Sequence, residues 1–168
     1  GGGINTTTSY ENRLSRLTHS PILKNGLSHE FVWDVKEDNQ GALWFATLNG
    51  LDQYFPETDS YKHFTEFFDE RGEVISNRVQ AFCFDQKGRI WFGNQQGKLA
   101  VFNRATNKTR VIQRDGFPHD YISYNRIKMI DKDRSGVIWV STDEGLLKIN
   151  SESLEIIHDY HLAEQGEL

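Results

Sequence analysis

Hydrophobic and polar positions along the 168-residue chain follow a pattern that returns about every 47 residues. In each repeat, a short segment rich in β-branched and aromatic residues is followed by a polar Asp-x-x-Gly turn and by a second apolar segment with a central tryptophan. These tryptophans, Trp44, Trp91 and Trp139, lie 47 and 48 residues apart. Short apolar segments of this composition between turn residues are typical of β-strands. The pattern therefore predicts an all-β chain built from an internal repeat.

Each repeat predicts the same order of short strands. First strands are expected at residues 31–35, 79–84 and 127–130, before the Asp-x-x-Gly turns, and second strands at the tryptophans. Third strands follow at residues 51–55, 99–102 and 146–149, and fourth strands at 61–64 and 109–112. Asp accepts hydrogen bonds from the backbone of its own turn and Gly takes the positive φ of a tight hairpin, so consecutive strands pair antiparallel. Four such strands form one blade of a β-propeller.

The repeat also divides the chain. Residues 1–25 are expected to be the second half of a preceding blade and a connection, with 14–17 as the outer strand of that blade. Residues 161–168 are expected to form a connection to a next blade, and the polar stretch that leads into this connection begins at His158. Three blades are expected between them, at residues 26–73, 74–120 and 121–160. A propeller closes with about four to eight blades. The chain is thus predicted to be a partial β-propeller of about three and a half blades, either a fragment of a larger ring or a homo-oligomer joined through exposed apolar blade faces.

Composition and charge exclude several classes of function. The net charge of −5 and the lack of a Lys/Arg stripe argue against a nucleic-acid partner. Cys83 is the single cysteine, so it has no partner for an internal disulfide, and its strand position predicts a core residue. No apolar run reaches the length of a membrane span and no secretory leader pattern opens the sequence. We therefore expect neither nucleic acid binding nor a membrane span in this segment.

Candidate binding residues lie at one rim of the predicted blades. The loop before each first strand and the loop after each second strand share that rim, and loops on a rigid scaffold commonly carry binding groups. The polar and aromatic residues of these loops are His29, Glu30, Asn49, Asn77, Arg78, Gln95, Gln96, Tyr124, Asn125, Arg126, Asp143 and Glu144. The alternative is that part of this set only bonds loop backbone as a feature of the repeat.

Trp33 is a further candidate ligand-binding residue. Gln80 and Lys128 occupy the equivalent positions in the other repeats, so the repeat itself does not require an aromatic residue there. An exposed indole would suit stacking on a sugar ring or on a partner. Packing in the core is the alternative.

No metal, cofactor or catalytic residue is predicted. The segment from Asp131 to Gly136 looks like the opening of a calcium loop, but its twelfth position is Thr142 where such a loop needs Glu, so we interpret it as a hairpin turn. His158 and His161 would point to opposite sides of an extended tail. Motifs for a nucleophilic serine, a phosphate loop or a zinc protease are missing from the sequence. Glu30 with Asp143 or Glu144 is the one acid/base pair that the rim offers.

The repeat resembles a known family. Its first unit reads Leu27-Ser28-x-x-x-Val32-x-x-Val35-x-Glu37-Asp38-x-x-Gly41-x-Leu43-Trp44-Phe45-x-Thr47-x-x-Gly50-Leu51-x-x-Tyr54. This unit is similar to the two-component regulator propeller repeat. Residues 75–93 and 127–146 match in the same way. Two departures are Lys98, in place of the leucine after the second glycine, and Lys132, in place of the acidic residue before Asp133.

The resemblance implies a function. This repeat builds the seven-bladed sensor propellers of hybrid two-component systems, best known from gut Bacteroides, which sense oligosaccharides outside the cytoplasm. It implies a non-catalytic periplasmic or extracytoplasmic sensor segment, whose partners are an oligosaccharide, the rest of the propeller and neighbouring domains. A membrane span, a histidine kinase, a receiver and a DNA-binding part would follow in the same polypeptide. The alternatives are a fragment of a propeller lyase or hydrolase acting on glycans, and a scaffold for protein interactions.

Overall fold

The structure, a computed structural model, describes the backbone of residues 4–8 and 11–17, and residues 25–114, 122 and 126–161. These residues form β-strands joined by short turns. In chain order the strands are β1 Ile4–Thr8, β2 Glu11–Leu17, β3 Val32–Glu37, β4 Leu43–Thr47, β5 Gly50–Phe55, β6 Ser60–Phe64, β7 Phe67–Phe68, β8 Val74–Ile75, β9 Val79–Phe84, β10 Ile90–Asn94, β11 Leu99–Asn103, β12 Lys108–Ile112, β13 Ile127–Lys132, β14 Ile138–Thr142, β15 Gly145–Ile149 and β16 Ile156–His161.

Twelve of these strands form three four-stranded antiparallel sheets in chain order: β3 to β6 (blade one), β9 to β12 (blade two) and β13 to β16 (blade three). Strand β9 lies beside both β3 and β13, so the first strands of the three blades are inner neighbours. Two hairpins complete the described fold, β1 with β2 and β7 with β8. This architecture is the predicted partial propeller, and the strand pair expected before blade one is present, with Ile4 opposite Leu17.

The expectation that a polar connection begins at His158 was wrong, although the blade was predicted to extend to residue 160. The stretch from His158 lies in β16, where His158 pairs with Lys148 and His161 with Gly145. His158 and Tyr160 are exposed and Asp159 between them is partly buried, so this segment suits an outer strand that has one face toward the solvent. Strand β15 would otherwise present an unpaired edge. Blade three is therefore complete, with four strands.

A single carboxylate organises the turn between the first and second strand of every blade. In blade two, Asp85 Oδ1 accepts the backbone N–H groups of Lys87 and Arg89 at 2.9 and 3.0 Å. Gly88 donates its N–H to the Asp85 carbonyl oxygen and has a φ of 71°, which favours glycine. Asp38 and Asp133 make the same bonds in the other two blades.

The second carboxylate oxygen of the same aspartate binds the repeat tryptophan, which sequence analysis missed. The indole Nε1–H groups of Trp44, Trp91 and Trp139 donate to Oδ2 of the turn aspartate of their own blade at 2.8, 3.0 and 3.0 Å. Hydrogen bonds from the Ser135 hydroxyl and the Trp139 indole lower the pKa of Asp133 to about 2. We conclude that turn, carboxylate and indole form one unit, repeated in each blade.

The tryptophans are buried where one blade packs on the next, as predicted. Trp44 is fully buried and contacts Phe84 and the Arg104 guanidinium, both of blade two, at ring distances of 5.7 and 5.2 Å. Trp91 is fully buried in a cluster that includes Ile130 of blade three. The main apolar clusters thus lie between blades, and each blade needs a neighbour to bury its tryptophan.

Cys83 belongs to the same core. It is 2% exposed in the cluster between blades two and three, and burial raises the pKa of its thiol to about 12. The thiolate, which is the reactive form of cysteine, is therefore strongly disfavoured at neutral pH. The predicted structural role of Cys83 is confirmed.

Apolar side chains remain exposed on the outward faces of blades one and three. On blade three, Met129 and Tyr160 are 61% and 45% exposed, and Trp139, on the same face, is only partly buried. On blade one, Val35 is 48% exposed. Trp44 and Trp91, the equivalent tryptophans of blades one and two, are fully buried. Burial of the tryptophan therefore depends on the neighbouring blade that covers it and not on its own blade.

We expect Asp85→Asn to lower the free energy of unfolding by about 2–4 kcal/mol, because the buried Trp91 indole and the Arg89 guanidinium both lose a carboxylate acceptor. Urea denaturation followed by tryptophan fluorescence measures this change. The matched control is Asp133→Asn, which should have a smaller effect because its tryptophan is only partly buried. Equal effects would contradict the role of the covering blade.

A second prediction concerns the close approach of blades two and three. A Cβ on Gly93 would lie 2.7 Å from the Ile127 side chain. Gly93→Ala should therefore cost about 1–3 kcal/mol of stability through overpacking. The double variant with Ile127→Ala should be more stable than the sum of the two single changes predicts. Additive effects in denaturation experiments would show that this contact does not limit packing.

Candidate functional site

The inner strand of every blade carries a β-bulge close to the predicted binding rim. The pairing register skips Trp33 in blade one, Gln80 in blade two and Lys128 in blade three. A bulged residue is left out of the ladder and its side chain is re-aimed, which is common beside functional sites. The three equivalent positions that the sequence singled out are thus the three bulges, which the alternation of apolar residues does not reveal.

The three bulged side chains differ in chemistry and environment. Trp33 is 45% exposed, so it is not a core residue. Gln80 has a buried Oε1 atom with no hydrogen-bond partner among the described residues. Lys128 is half exposed and forms an ion pair with Asp143 at 2.5 Å. An aromatic, an amide and an ammonium group therefore occupy the same position of consecutive blades.

Asn49 and Asn77 meet where blades one and two adjoin. Asn77 Nδ2 donates to Asn49 Oδ1 at 3.1 Å and to the Thr65 carbonyl oxygen at 3.0 Å. The loop after the second strand of blade one therefore touches the loop before the first strand of blade two, as the shared rim predicts. These bonds also support the alternative that part of the rim stabilises loop backbone.

A buried aspartate that sequence analysis missed holds the loop entering blade one. Asp52 is fully buried, and its Oδ2 accepts the Ser28 backbone N–H at 2.7 Å and the Ser28 hydroxyl at 2.9 Å. Its Oδ1 lies 2.7 Å from Nδ1 of His63 on the outer strand. Because Asp52 lies on β5, it ties the rim loop to the body of the sheet. An acidic residue inside an apolar strand was the available clue in the sequence.

In blade two, the loop between the second and third strands, β10 and β11, is one residue longer than the equivalent loops of the other blades. Asn94 is buried, and its Oδ1 accepts the backbone N–H groups of Gln96 and Lys98 at 2.9 and 3.0 Å. In the sheet it is Leu99 that pairs with Gly93, as Leu51 pairs with Ala46. Lys98 therefore does not replace the repeat leucine, as the sequence suggested, but is an extra turn residue.

That turn displays two of the predicted binding residues. Gln95 and Gln96 are both exposed at its tip. The Nδ2 atom of the neighbouring Asn94 is buried without a hydrogen-bond partner among the described residues. The side-chain oxygen Oδ1 of Asn94 thus fixes the backbone of the turn, while Gln95 and Gln96 remain at the surface.

Charged side chains meet at the rim of blade three. Asp143 lies 2.5 Å from Lys128 Nζ and 3.6 Å from Arg126 Nε. The hydrogen bond from Lys128 lowers the pKa of Asp143 below its usual range. Glu144 faces the buried Arg114, whose guanidinium also binds Asp159 at 2.6 Å. The rim of blade three is therefore charged but locally neutralised.

The remaining predicted residues contribute differently. His29 Nδ1 accepts the Phe31 backbone N–H at 3.0 Å, and the two rings stack, so His29 shapes its own loop. Glu30 and Arg78 are exposed on the surface. Tyr124 and Asn125 lie outside the described residues.

The described residues contain neither a metal-binding cluster nor a helix that could span a membrane. Within 25–114 and 126–161, no group of three or more His, Cys, Asp or Glu side chains is arranged to hold a metal ion. Both carboxylate oxygens of Asp133, in the calcium-like segment, already accept hydrogen bonds, Oδ1 from the Val137 backbone N–H and Oδ2 from the Trp139 indole. The same part of the chain contains no helix with the length and apolar character needed to cross a membrane.

Comparison with known proteins identifies the repeat. Residues 26–49 and 73–96 match the two-component regulator propeller family. Among curated proteins, Histidine kinase P4 of Formosa agariphila is 28% identical over 92% of this chain. The chain spans 15% of the length of that relative.

Solved structures show the same fold. The extracellular domain of one hybrid two-component system from B. thetaiotaomicron superposes with a TM-score of 0.70 at 19% identity, covering 86% of this chain and 19% of that one. A second such domain from this organism gives 0.70 at 21% identity, covering 92% and 21%. Virginiamycin B lyase from Staphylococcus aureus gives 0.62 at 14% identity, covering 88% and 45%. At these identities the likeness establishes the fold alone.

We expect Lys128→Gln to raise the pKa of Asp143, because the ammonium group that stabilises its carboxylate is removed. Carboxyl carbon chemical shifts followed through a pH titration measure the change. Arg126→Gln serves as the control and should raise this pKa less, since Arg126 lies farther from the carboxylate. A larger rise for Arg126→Gln would contradict the assigned ion pair.

Proposed function

Because two stretches of this chain are two-component regulator propeller repeats, we propose that it is a non-catalytic segment of an extracytoplasmic sensor region of a two-component histidine kinase. In this proposal the segment binds an oligosaccharide at the rim formed by the loops before β3, β9 and β13 and after β4, β10 and β14. The rest of the propeller covers its exposed blade faces. The proposed location is the periplasm.

The relatives support the sensor assignment. Histidine kinase P4 is similar over nearly the whole chain, and two of the structures with the same fold are extracellular domains of hybrid two-component systems. The chain corresponds to a small part of each of them, so kinase activity and signalling belong to the proposal for the longer protein.

The observation that carries the binding proposal is the grouping of side chains at the rim. Adjacent blades join Asn49 to Asn77 there, and one blade joins Arg126 and Lys128 to Asp143. Amides and paired charges on loops of a rigid sheet are suited to hydrogen bonding with hydroxyl groups. Exposed Trp33 adds an aromatic surface for a sugar ring.

The geometry favours binding over catalysis. An acid/base pair for glycan cleavage requires one carboxyl group with a raised pKa. Asp143 has a lowered pKa and is paired with Lys128, so it is a poor general acid. The lyase with the same fold is too distant in sequence to support an activity of this chain.

Signal transmission would follow from the way blades are joined. Arg104 of blade two binds Asp38 of blade one at 3.4 Å, and the Phe82 N–H donates to Asp34 at 3.2 Å. Arg89 of blade two donates to the Ser151 carbonyl oxygen of blade three. Blades linked in this way transmit a ligand contact as a rigid-body shift at their interfaces.

We expect saturable binding when the chain is titrated with a panel of neutral and acidic oligosaccharides by calorimetry, without turnover of any of them. Arg126→Gln should weaken binding about 3- to 10-fold, as expected for the loss of one or two hydrogen bonds. The control is Arg110→Gln, an exposed arginine of the outer strand β12, which should bind like the wild type.

Two outcomes would contradict this function. Release of shortened or unsaturated sugars would favour the lyase or hydrolase alternative. Failure of the whole panel to bind, with the chain folded, would favour a protein-interaction scaffold.

A further inference from the structure

Beside the predicted rim, the chain forms a cavity that sequence analysis did not foresee. The cavity measures about 360 Å³ and is lined by Asn49, Thr65, Glu66, Phe68, Val74, Ile75, Ser76 and Asn77. This volume is in the range of small-molecule sites. Its walls come from the loop after β4 and from the connection between blades one and two, which includes the hairpin of β7 and β8.

The hairpin that forms one wall is firmly anchored. Phe67 and Ile75 are 1% and 3% exposed, and the Phe67 ring packs 4.6 Å from Phe92 in the core between blades. The turn is held by Asp69, whose Oδ1 accepts the backbone N–H groups of Arg71 and Glu73 at 2.9 and 2.7 Å. This turn repeats the Asp-x-x-Gly geometry of the blades.

The same hairpin presents apolar side chains to the solvent. Phe68 and Val74 pair across the two strands and are 47% and 72% exposed. Strand alternation explains their outward direction, since their neighbours Phe67 and Ile75 point into the core. An aromatic ring held in place at the edge of a cavity is suited to packing against the apolar face of a ligand.

The orientation of the two asparagine amides in the cavity is determined by their partners. A carbonyl oxygen only accepts hydrogen bonds, so the Thr65 carbonyl requires that Asn77 turn its NH₂ group inward. The second hydrogen of that group is donated to Asn49, which must therefore present its oxygen. Asn49 is left with its NH₂ group, and Asn77 with its carbonyl oxygen, for other partners.

A donor on one side chain and an acceptor on a side chain next to it in space match one chemical group in particular. A hydroxyl group accepts one hydrogen bond and donates another, so it can bind Asn49 Nδ2 and Asn77 Oδ1 together. Neither of these two atoms is hydrogen-bonded to the described part of the chain. Ser76 and Glu66 add a hydroxyl and a carboxylate to the walls. A sugar ring has hydroxyl groups along its edge and an apolar face, so it matches a site that combines these polar groups with the Phe68 ring.

We propose that this cavity is a subsite for one sugar ring, with Phe68 packing on the ring face and Asn49 and Asn77 binding one hydroxyl group. The inference rests on the proposed function and gives the oligosaccharide a place beside the blade junction. It adds Phe68, Ser76 and Glu66 to the binding surface.

Asn49→Asp tests the hydroxyl contact with minimal disturbance. The variant keeps an oxygen for the Asn77 NH₂ group and replaces the outward donor with a negatively charged acceptor. Phe68→Ala tests the ring contact, and Ile157→Ala, a 50% exposed residue of β16 in blade three, is its matched control. Binding of the tightest oligosaccharide of the panel is measured by calorimetry for each variant, after circular dichroism has confirmed the fold.

We expect Asn49→Asp and Phe68→Ala each to weaken binding about 3- to 10-fold, while Ile157→Ala binds like the wild type. In spectra of ¹⁵N-labelled chain, the sugar should also shift the side-chain amide signals of Asn49 and Asn77. Unchanged affinity in both variants, with binding retained, would overturn the subsite and leave the proposed function standing. Absence of binding by the wild type would overturn both.

Discussion

The hydrogen bond between the turn aspartate and the repeat tryptophan is the interaction on which each blade depends. Its carboxylate is removed from water at Asp38 and Asp85, which are 6% and 5% exposed. Burying a charge in this way is costly unless hydrogen bonds compensate it. Two backbone N–H groups of the turn and one indole N–H provide that compensation in each blade. The turn and the tryptophan therefore stabilise each other, because both donate hydrogen bonds to the same carboxylate.

The same unit couples neighbouring blades. Arg104 of blade two reaches Asp38 and lies over the Trp44 ring, so the carboxylate of one blade binds a cation of the next. Between blades two and three the roles are distributed differently, since Arg89 stays with its own Asp85 and donates to the Ser151 carbonyl oxygen. A cation therefore binds the turn aspartate at both junctions, but it comes from the next blade at Asp38 and from the same blade at Asp85.

Sequence periodicity predicted the features that local chemistry determines. Strand positions follow from β-branched and aromatic residues, and the Asp-x-x-Gly turns follow from hydrogen bonds within five residues. The bulges at Trp33, Gln80 and Lys128, the extra turn residue Lys98 and the hairpin of β7 and β8 were not predicted. Each depends on contacts between strands or blades that alternation alone does not encode. For the rim, the sequence predicted which loops meet, whereas the amide orientations of Asn49 and Asn77 follow from a distant carbonyl group.

Blade three shows what the aspartate and tryptophan unit requires from a neighbour. Its Asp133 and Trp139 are hydrogen-bonded as in the other blades, yet Trp139 is only partly buried and is contacted by Lys148 and Tyr160 of its own blade. In blades one and two the neighbour contributes apolar side chains beside the tryptophan and a polar group near the aspartate. A surface that covers blade three should therefore combine an apolar patch for Met129 and Trp139 with a hydrogen-bond donor or cation for Asp133. A purely apolar surface would bury the Asp133 carboxylate without replacing the water bound to it, which is unfavourable.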